Sequence, residues 1–599
     1  MNRLDLSHSP TLLCHFDRTL EDLSGSGIDL IGTATFTELA ENHFGLAPGS
    51  DVRRAAYDAA LDIAGPMTVE VTGYFYGVPS GQHIFASFTV SGESDPTNTQ
   101  WQLGTNGATQ LRWIHERGST GLDDIHVSTN AIEGLPRPHT RFHAAAVRRA
   151  DGSVVPFLNG RQHGDPSPAF AAPTGGTSAF LRVMFGSTAF ALDGLKITAS
   201  ELTPAQVADS AAAVLGYDPA DGVHGTLWVG ATTDTTATVI ARMGAPVAAL
   251  VLDVGGVPTA PQATDADNVA RFDLTGLAPD TEYTIALPCG VAGKFRTHPT
   301  AAGTACDFTI AFGGDADTGS RHRVFDVILE LDPLMFIHLG DMHYENNATN
   351  SPALFHGAWD NVQAQPPQAR LLRNVATAYV WDDHDFGGNN ANAASPSKPA
   401  ACAAYRSRVP HYPLPHATAI YQTWDIGRVR FVMTDQRSES VTGSILGATQ
   451  KAWLKDILSN STGMLIVWIC PRWFCNANHA DSWNSYAAER TEIADHIKAN
   501  CHGRVIVLEA DQHTLAIDDG SHADFATGGG EPLPCFRAAP LDKTVSALAG
   551  TYSHGEFAAL GQFGTMRVED SGGSSIDVTW TGRNSSGAVL TTYAFSVNV

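Results

Sequence analysis

Four short stretches of this 599-residue chain set acidic side chains directly behind an apolar run. DFTIAFGGDAD carries Asp315 and Asp317, and FIHLGDMHY carries Asp341, His343 and Tyr344. YVWDDHDFGGNN carries Asp382, Asp383, His384 and Asp385, and VIVLEADQH carries Asp511 and His513. One such turn reads as a helix N-cap or a solvated chain reversal, the ordinary uses of Asp. Four of them behind buried strands are different, because converging carboxylates repel one another unless cations stand between them. A dinuclear metal centre meets that demand; it needs a shared ligand, several oxygen and nitrogen ligands, and a proton donor not spent on metal. Gly340 permits a tight turn and makes Asp341 the natural bridge. Asp315, Asp317, Tyr344 and His513 then furnish one metal site, and Asp383 and Asp511 the other. His384 is left to assist a leaving group or steady transition-state charge. Oxygen-rich ligation favours hard cations, and a Tyr344 phenolate suits ferric iron.

The elements that must position these residues begin near residue 301. There, buried strands alternate with helical stretches, as in VFDVILELD after the first acidic turn and ARLLRNVATAYV before the third. This grammar predicts a layered α/β domain with its ligands beyond the carboxyl ends of the strands. Residues 219–300 read as a smaller β unit (TLWVGATTDTTATVIARM, RFDLTGLAPDTEYTIAL, KFRTHPT), and residues 1–218 as short alternating strands cut by Gly, Pro, Asn and Asp, the pattern of an antiparallel sandwich. The chain is too long for one core, so three domains are expected: 1–218, 219–300 and 301–599.

Gly340-Asp341-Met342-His343-Tyr344 resembles the GDxxY motif of the alkaline phosphatase D (PhoD-like) family of calcineurin-like metallophosphoesterases, and Trp381-Asp382-Asp383-His384 resembles that family's WDDH. TDQR at 434–437, LGATQKAWL at 446–454, WNSYAAER at 483–490 and VLEADQH at 507–513 follow in the same order, so the resemblance covers about 305–570. It implies a four-layer α/β/β/α domain that hydrolyses phosphate mono- and diesters with a metal-activated hydroxide at a dinuclear site. Fe³⁺ with Ca²⁺ is the implied metal pair, with Zn²⁺ or Mn²⁺ as alternatives. His384 acts on the leaving group, and Arg437 either binds phosphate or sits in a salt bridge. The chain departs from the family at its first motif, generally Asp-x-His or a Cys variant, where it has Asp315-Ala316-Asp317; Cys306 lies at the wrong end of the strand. The superfamily's mid-domain His has only His411 and His479 as counterparts, and both read as surface residues. Asn389 and Asn390 read as turn formers or as metal or phosphate contacts, and His554 as a packing or pocket residue. Further upstream, HFDRTLEDLSGSG, RFHAAAVRRADGSVVPFLNGRQHG and FALDGLKITASELTPAQV resemble laminin-G or concanavalin-like jelly rolls, which implies a cell-surface glycan partner or a spacer. LTGLAPDTEY at 274–283 resembles the tyrosine corner of fibronectin type III domains.

The 62 acidic and 37 basic residues give a net charge of −25, and no Lys/Arg run occurs. A broad nucleic-acid or anionic-membrane surface is therefore disfavoured, while a small phosphate ester fits wherever metal ions reverse the local field. No apolar run approaches the roughly 20 residues of a membrane span. The longest, MLIVWIC at 464–470, has the length of a buried strand, and MNRLDLSHSPTLLCHFD has no apolar core of signal-peptide length. Eight scattered cysteines read as core thiols, with a Cys470–Cys475 pair left open. Two function classes stand. One is the phosphoesterase; the other is a glycan-binding or structural virion or phage tail protein in which the phosphoesterase domain is secondary or inactive. Homo-oligomeric or virion assembly, and an extracellular, virion-associated or cytoplasmic location, stay open.

Overall fold

A computed structural model describes residues 225–599 apart from 245, 476–478 and 549, together with the strands, one helix and short adjoining stretches between 12 and 215. The chain divides into two compact units, Met1–His224 and Gly225–Val599. In the first, the strands form two antiparallel sheets of eight and seven. Its helix Pro204–Leu215 lays Val207 on Ala145, Val147, Val155 and Phe157 of the larger sheet.

The second unit opens with a three-stranded sheet (Gly225–Gly230, Thr236–Met243, Val269–Thr275) and a four-stranded one (Val257–Pro258, Asp253–Val254, Glu282–Ala286, Ala292–Arg296). Tyr283 Oη accepts a hydrogen bond from the Ala278 amide at 2.9 Å, which ties the preceding loop to the sheet. Gly230 is where this part meets the next, since a Cβ there would lie 2.3 Å from the Thr377 carbonyl oxygen.

Two larger sheets carry the acidic turns. The first runs, in spatial order, Ala376–Tyr379, Met335–His338, Phe308–Gly313, Phe563–Glu569, Ser575–Arg583, Val589–Asn598. Its first three strands are parallel. The second runs Gln422–Ile426, Val429–Met433, Leu465–Ile469, Val505–Glu509, Cys535–Arg537, Leu515–Asp518, Glu556–Phe557, with four consecutive parallel strands from Val429–Met433 to Cys535–Arg537. Strand side chains alternate in direction, and here both faces are covered. Ile310 and Phe312 meet Phe431, Met433, Val467 and Ile469 in one core between the sheets. Ala311 and Phe336 point the other way, onto the helices Val324–Glu330 and Pro366–Asn374. On the far side, Val432, Ile466 and Trp468 pack against Gly447–Ser459 and Ala487–Asn500. Burial on two faces is why these strands read as unbroken apolar runs. Leu465–Ile469 buries all five of its side chains, each contributing about 1.5–3 kcal/mol of transfer free energy for a residue the size of Val, Leu or Ile.

Cys470 and Cys475 are buried, unbridged thiols, as are Cys402, Cys501 and Cys535, while Cys289 and Cys306 are half-buried and free. Among the described residues no helix is long and apolar enough to cross a membrane.

Candidate metal centre

The acidic turns lie at the carboxyl ends of parallel strands from both sheets. Phe308–Gly313, Met335–His338 and Ala376–Tyr379 lead into Asp315, Asp341 and Asp382-Asp383; Val429–Met433 leads into Asp435 and Arg437, and Val505–Glu509 into Asp511 and His513. Asp315, Asp341 and Asp511 have φ of 63°, 49° and 68°. Left-handed backbone costs about 1–3 kcal/mol at a non-glycine residue, and Asp is among the few that adopt it. Each strand end thus reverses sharply and turns a carboxylate toward its neighbours. Gly340, at φ 109°, does more than allow a turn: a Cβ there would come within 2.7 Å of the Asp382 Cβ, so glycine lets two acidic turns touch.

One half of the centre gathers around Asp315. Tyr344 Oη lies 3.2 Å from Asp315 Oδ1 and 3.0 Å from His513 Nε2, and His513 Nε2 is 3.3 Å from Asp315 Oδ1. His513 Nδ1 donates to the Thr544 carbonyl oxygen at 2.6 Å, which leaves Nε2 facing the acids. Burial works against the His513 imidazolium, but the charge and hydrogen bond of Asp315 outweigh it and raise its proton affinity. Ligand atoms of Asp341, Asp383 and His384 lie within 4.8 Å of one another, as do those of Asp382, Asp383 and Asp511, so Asp383 is common to both sets. The His384 amide donates to Asp341 Oδ1 at 3.2 Å. Its ring is fixed by Asn346, whose Oδ1 is 2.6 Å from His384 Nδ1 and whose Nδ2 donates to the Tyr344 carbonyl at 2.7 Å. Nδ1 therefore carries a proton, and Nε2 is the nitrogen free for chemistry.

The other half is built around Arg437, 0% exposed. Its Nε donates to Asp382, its Nη1 lies 2.7 Å from Asp481 Oδ2, and its Nη2 lies 3.7 Å from Asp383 and 3.6 Å from Asp511. Asp481 also receives Arg472. Asp385 belongs to the scaffold. It accepts from the amides of Asp382 (2.6 Å) and Met342 (3.0 Å) and from Tyr379 Oη (2.6 Å), capping the short helix Asp383–Phe386 and tying its turn to that of Asp341.

So much buried acid shows in the proton affinities. Burial, then Asp383, Asp385, Asp382 and Asp315, hold Asp341 well above the usual carboxylate range, and burial followed by Asp382 does the same to Asp511 despite Arg437. Burial lifts Asp382 to about 7 against the pull of Arg437. Asp315 Oδ2 and Asp382 Oδ2 are buried and accept no hydrogen bond, an arrangement that is costly unless a cation completes it. Carboxylates, a phenol and an imidazole are a hard donor set, and the residues fit metal ions.

Not every expected residue joins the cluster. Asp317 stands outside: Ala316 packs inward, and the next side chain faces out, 53% exposed and paired with Lys543 Nζ at 2.8 Å. Arg437, expected either at a phosphate or in a salt bridge, is enclosed by four acids. His479 is exposed, His411 is half-buried and stacked on Tyr405, and His554 stacks on Tyr593. Asn389 is exposed, and the Asn390 amide donates to Asp383 Oδ2 at 2.5 Å. Sequence reasoning missed Asn346, Asp481, Arg472 and Lys543. Only Asn346 carried a signal, as the first amide after the GDMHY turn.

Two stacked sheets whose parallel strands end in one acidic centre define the class of this domain, and comparison with known proteins narrows it. Residues 313–542 match the family model of the PhoD-like phosphatases. Alkaline phosphatase D of Bacillus subtilis (strain 168) is 25% identical over 325 residues, 43% of this chain and 54% of that protein; the chain thus spans about half the length of this curated relative. A solved structure of PhoD superposes on 62% of this chain and 90% of its own with a TM-score of 0.51 and 15% identity, a likeness of fold. A purple acid phosphatase from yellow lupin (Lupinus luteus) seeds aligns over 91% of this chain and 92% of its own, with a TM-score of 0.49 and 12% identity.

Proposed function

We propose that this protein hydrolyses phosphate esters, mono- and diesters alike, at a two-metal centre. The observation that carries the reading is the convergence of Asp315, Asp341, Asp383 and Asp511 from four strand ends onto one acidic cluster beside His384, within the segment that matches the PhoD-like phosphatases. Asp315, Tyr344 and His513 would hold one ion, Asp383 and Asp511 the other, with Asp341 shared; Fe³⁺ with Ca²⁺ suits a site with a Tyr344 phenol, and Zn²⁺ or Mn²⁺ are the alternatives. Bound there, the ions supply Lewis acidity toward phosphoryl oxygens and a nucleophilic water at neutral pH.

The side chains do the rest. His384 is oriented by Asn346 and by its own amide on Asp341, so one defined ring nitrogen serves the leaving oxygen. Arg437 holds Asp382 and fixes the neighbourhood of Asp383 and Asp511; it is a positioning residue. The Tyr344 ring, 4.2 Å from that of His384 between centroids, forms the wall between the two histidines.

The same proposal covers the other segments. The eight- and seven-stranded sheets support a laminin-G or concanavalin-like jelly roll for 1–218. The three- and four-stranded sheets and the Tyr283–Ala278 hydrogen bond support a fibronectin type III-like domain for 219–300, ahead of a catalytic domain over 301–599. The family match weighs against a purely glycan-binding or virion role.

The test is nitrophenol release from bis(p-nitrophenyl) phosphate and p-nitrophenyl phosphate by the chain supplied with each metal pair. Turnover is expected. No turnover with any metal would remove the reading.

A further inference from the structure

With Arg437 sealed among acids, the cation that meets the substrate must be sought elsewhere. Lys543 stands at the edge of the centre. The residues just before it are pinned to the first acidic turn: the Leu541 amide donates to the Gly314 carbonyl at 2.8 Å and the Asp542 amide to the Asp315 carbonyl at 3.1 Å. The residue just after it, Thr544, accepts from His513 Nδ1 at 2.6 Å. Lys543 is thereby held between the turns that carry Asp315 and His513. Its Nζ lies 3.9 Å from the centroid of the Tyr344 ring, whose hydroxyl touches both of those residues. It is 24% exposed where Arg437 is 0%.

We propose that Lys543 is the phosphate-facing cation of the centre, binding non-bridging phosphoryl oxygens and favouring dianionic monoesters over monoanionic diesters, with Asp317 as the counter-ion it exchanges for substrate. This rests on the phosphoesterase reading above. An ammonium acts as a mobile point charge toward phosphate. Its pairing with Asp317 is a single contact to an exposed carboxylate, of the kind that contributes little, and a doubly negative phosphoryl group attracts it more strongly.

The test uses the full chain supplied with metal, as wild type, Lys543→Met and Lys543→Arg. Orthophosphate affinity is measured by calorimetry, and KM with p-nitrophenyl phosphate and bis(p-nitrophenyl) phosphate. Lys543→Met is expected to weaken orthophosphate about tenfold and raise the monoester KM by about the same factor, against about twofold for the diester, with Lys543→Arg recovering most of the loss. Unchanged orthophosphate affinity, or an equal loss with both esters, would overturn the assignment. Orthophosphate binding that depends on Lys543 in a protein that turns over neither ester would uphold the anion site and remove the phosphoesterase reading instead.

Discussion

The two halves of the acidic centre neutralise their charge differently. Around Asp315 the protein offers a phenol and an imidazole; around Asp382 and Asp511 it offers a fully buried guanidinium. The permanent cation beside the first half is Lys543, 24% exposed on the Tyr344 ring and paired with Asp317 rather than with Asp315, so the need of that half for an external cation is the greater. The second is already part-compensated by Arg437, and that arginine is itself committed to Asp481. Metal affinity is therefore expected to be unequal, with the Asp315 half the tighter.

Experiments can break or sharpen that contrast. Asp341→Asn, at the proposed bridge between the two ions, is expected to drop nitrophenol release to background with an unaltered circular dichroism spectrum; wild-type turnover would end the bridging proposal. His384→Gln is expected to cost about 10²–10⁴-fold in kcat, the range for a lost general acid, with metal content unchanged. Arg437→Met strikes the second half alone. Stripping one partner from a buried ion pair costs about 3–5 kcal/mol in denaturant unfolding, and Asp382→Asn in the same chain should recover part of it; a loss below about 1 kcal/mol, the value of a surface pair, would erase the distinction. Tyr344→Phe should weaken the first ion by at least about tenfold, judged from the effect of ligand-shell changes, and leave the second unaffected in a metal titration.

The smallest effect is on pH. Asp382 binds its proton near 7 when folded and near the ordinary 3.8 when unfolded. The stabilisation from that tighter proton is complete below about pH 4 and lost as pH rises through about 7. Metal-stripped protein should therefore melt at a higher temperature at pH 5 than at pH 8. Added metal should flatten or reverse the trend, and a flat profile without metal would show that Arg437 neutralises its half completely.

Much of this arrangement was legible in the sequence because strand-end chemistry is local. An apolar run followed by GGDAD or LGDMHY fixes both the strand and the turn, so the sequence alone puts Asp315, Asp341, Tyr344, Asp383, Asp511 and His513 at strand ends that can converge. What was not legible depends on side-chain direction and distant partners. Asp317 is two residues from Asp315, yet Ala316 takes the inward position and sends it to the surface. Arg437 sits in a recognisable TDQR, but its enclosure depends on Asp481, 44 residues further on. Lys543 reaches the centre only because Leu541 and Asp542 pair with Gly314 and Asp315 across more than half of the domain.

Three of the centre's carboxylates stand on left-handed backbone, and this restricts what drift can write at those positions. Asn and Gly are tolerated there, while β-branched or bulky residues bring a conformational penalty on top of any lost chemistry. A lineage that abandoned the reaction would keep its turns and replace acid by Asn or Gly at positions 315, 341 and 511. Retired members would thus differ from working ones in charge more than in shape, and could be told apart by inspecting three letters.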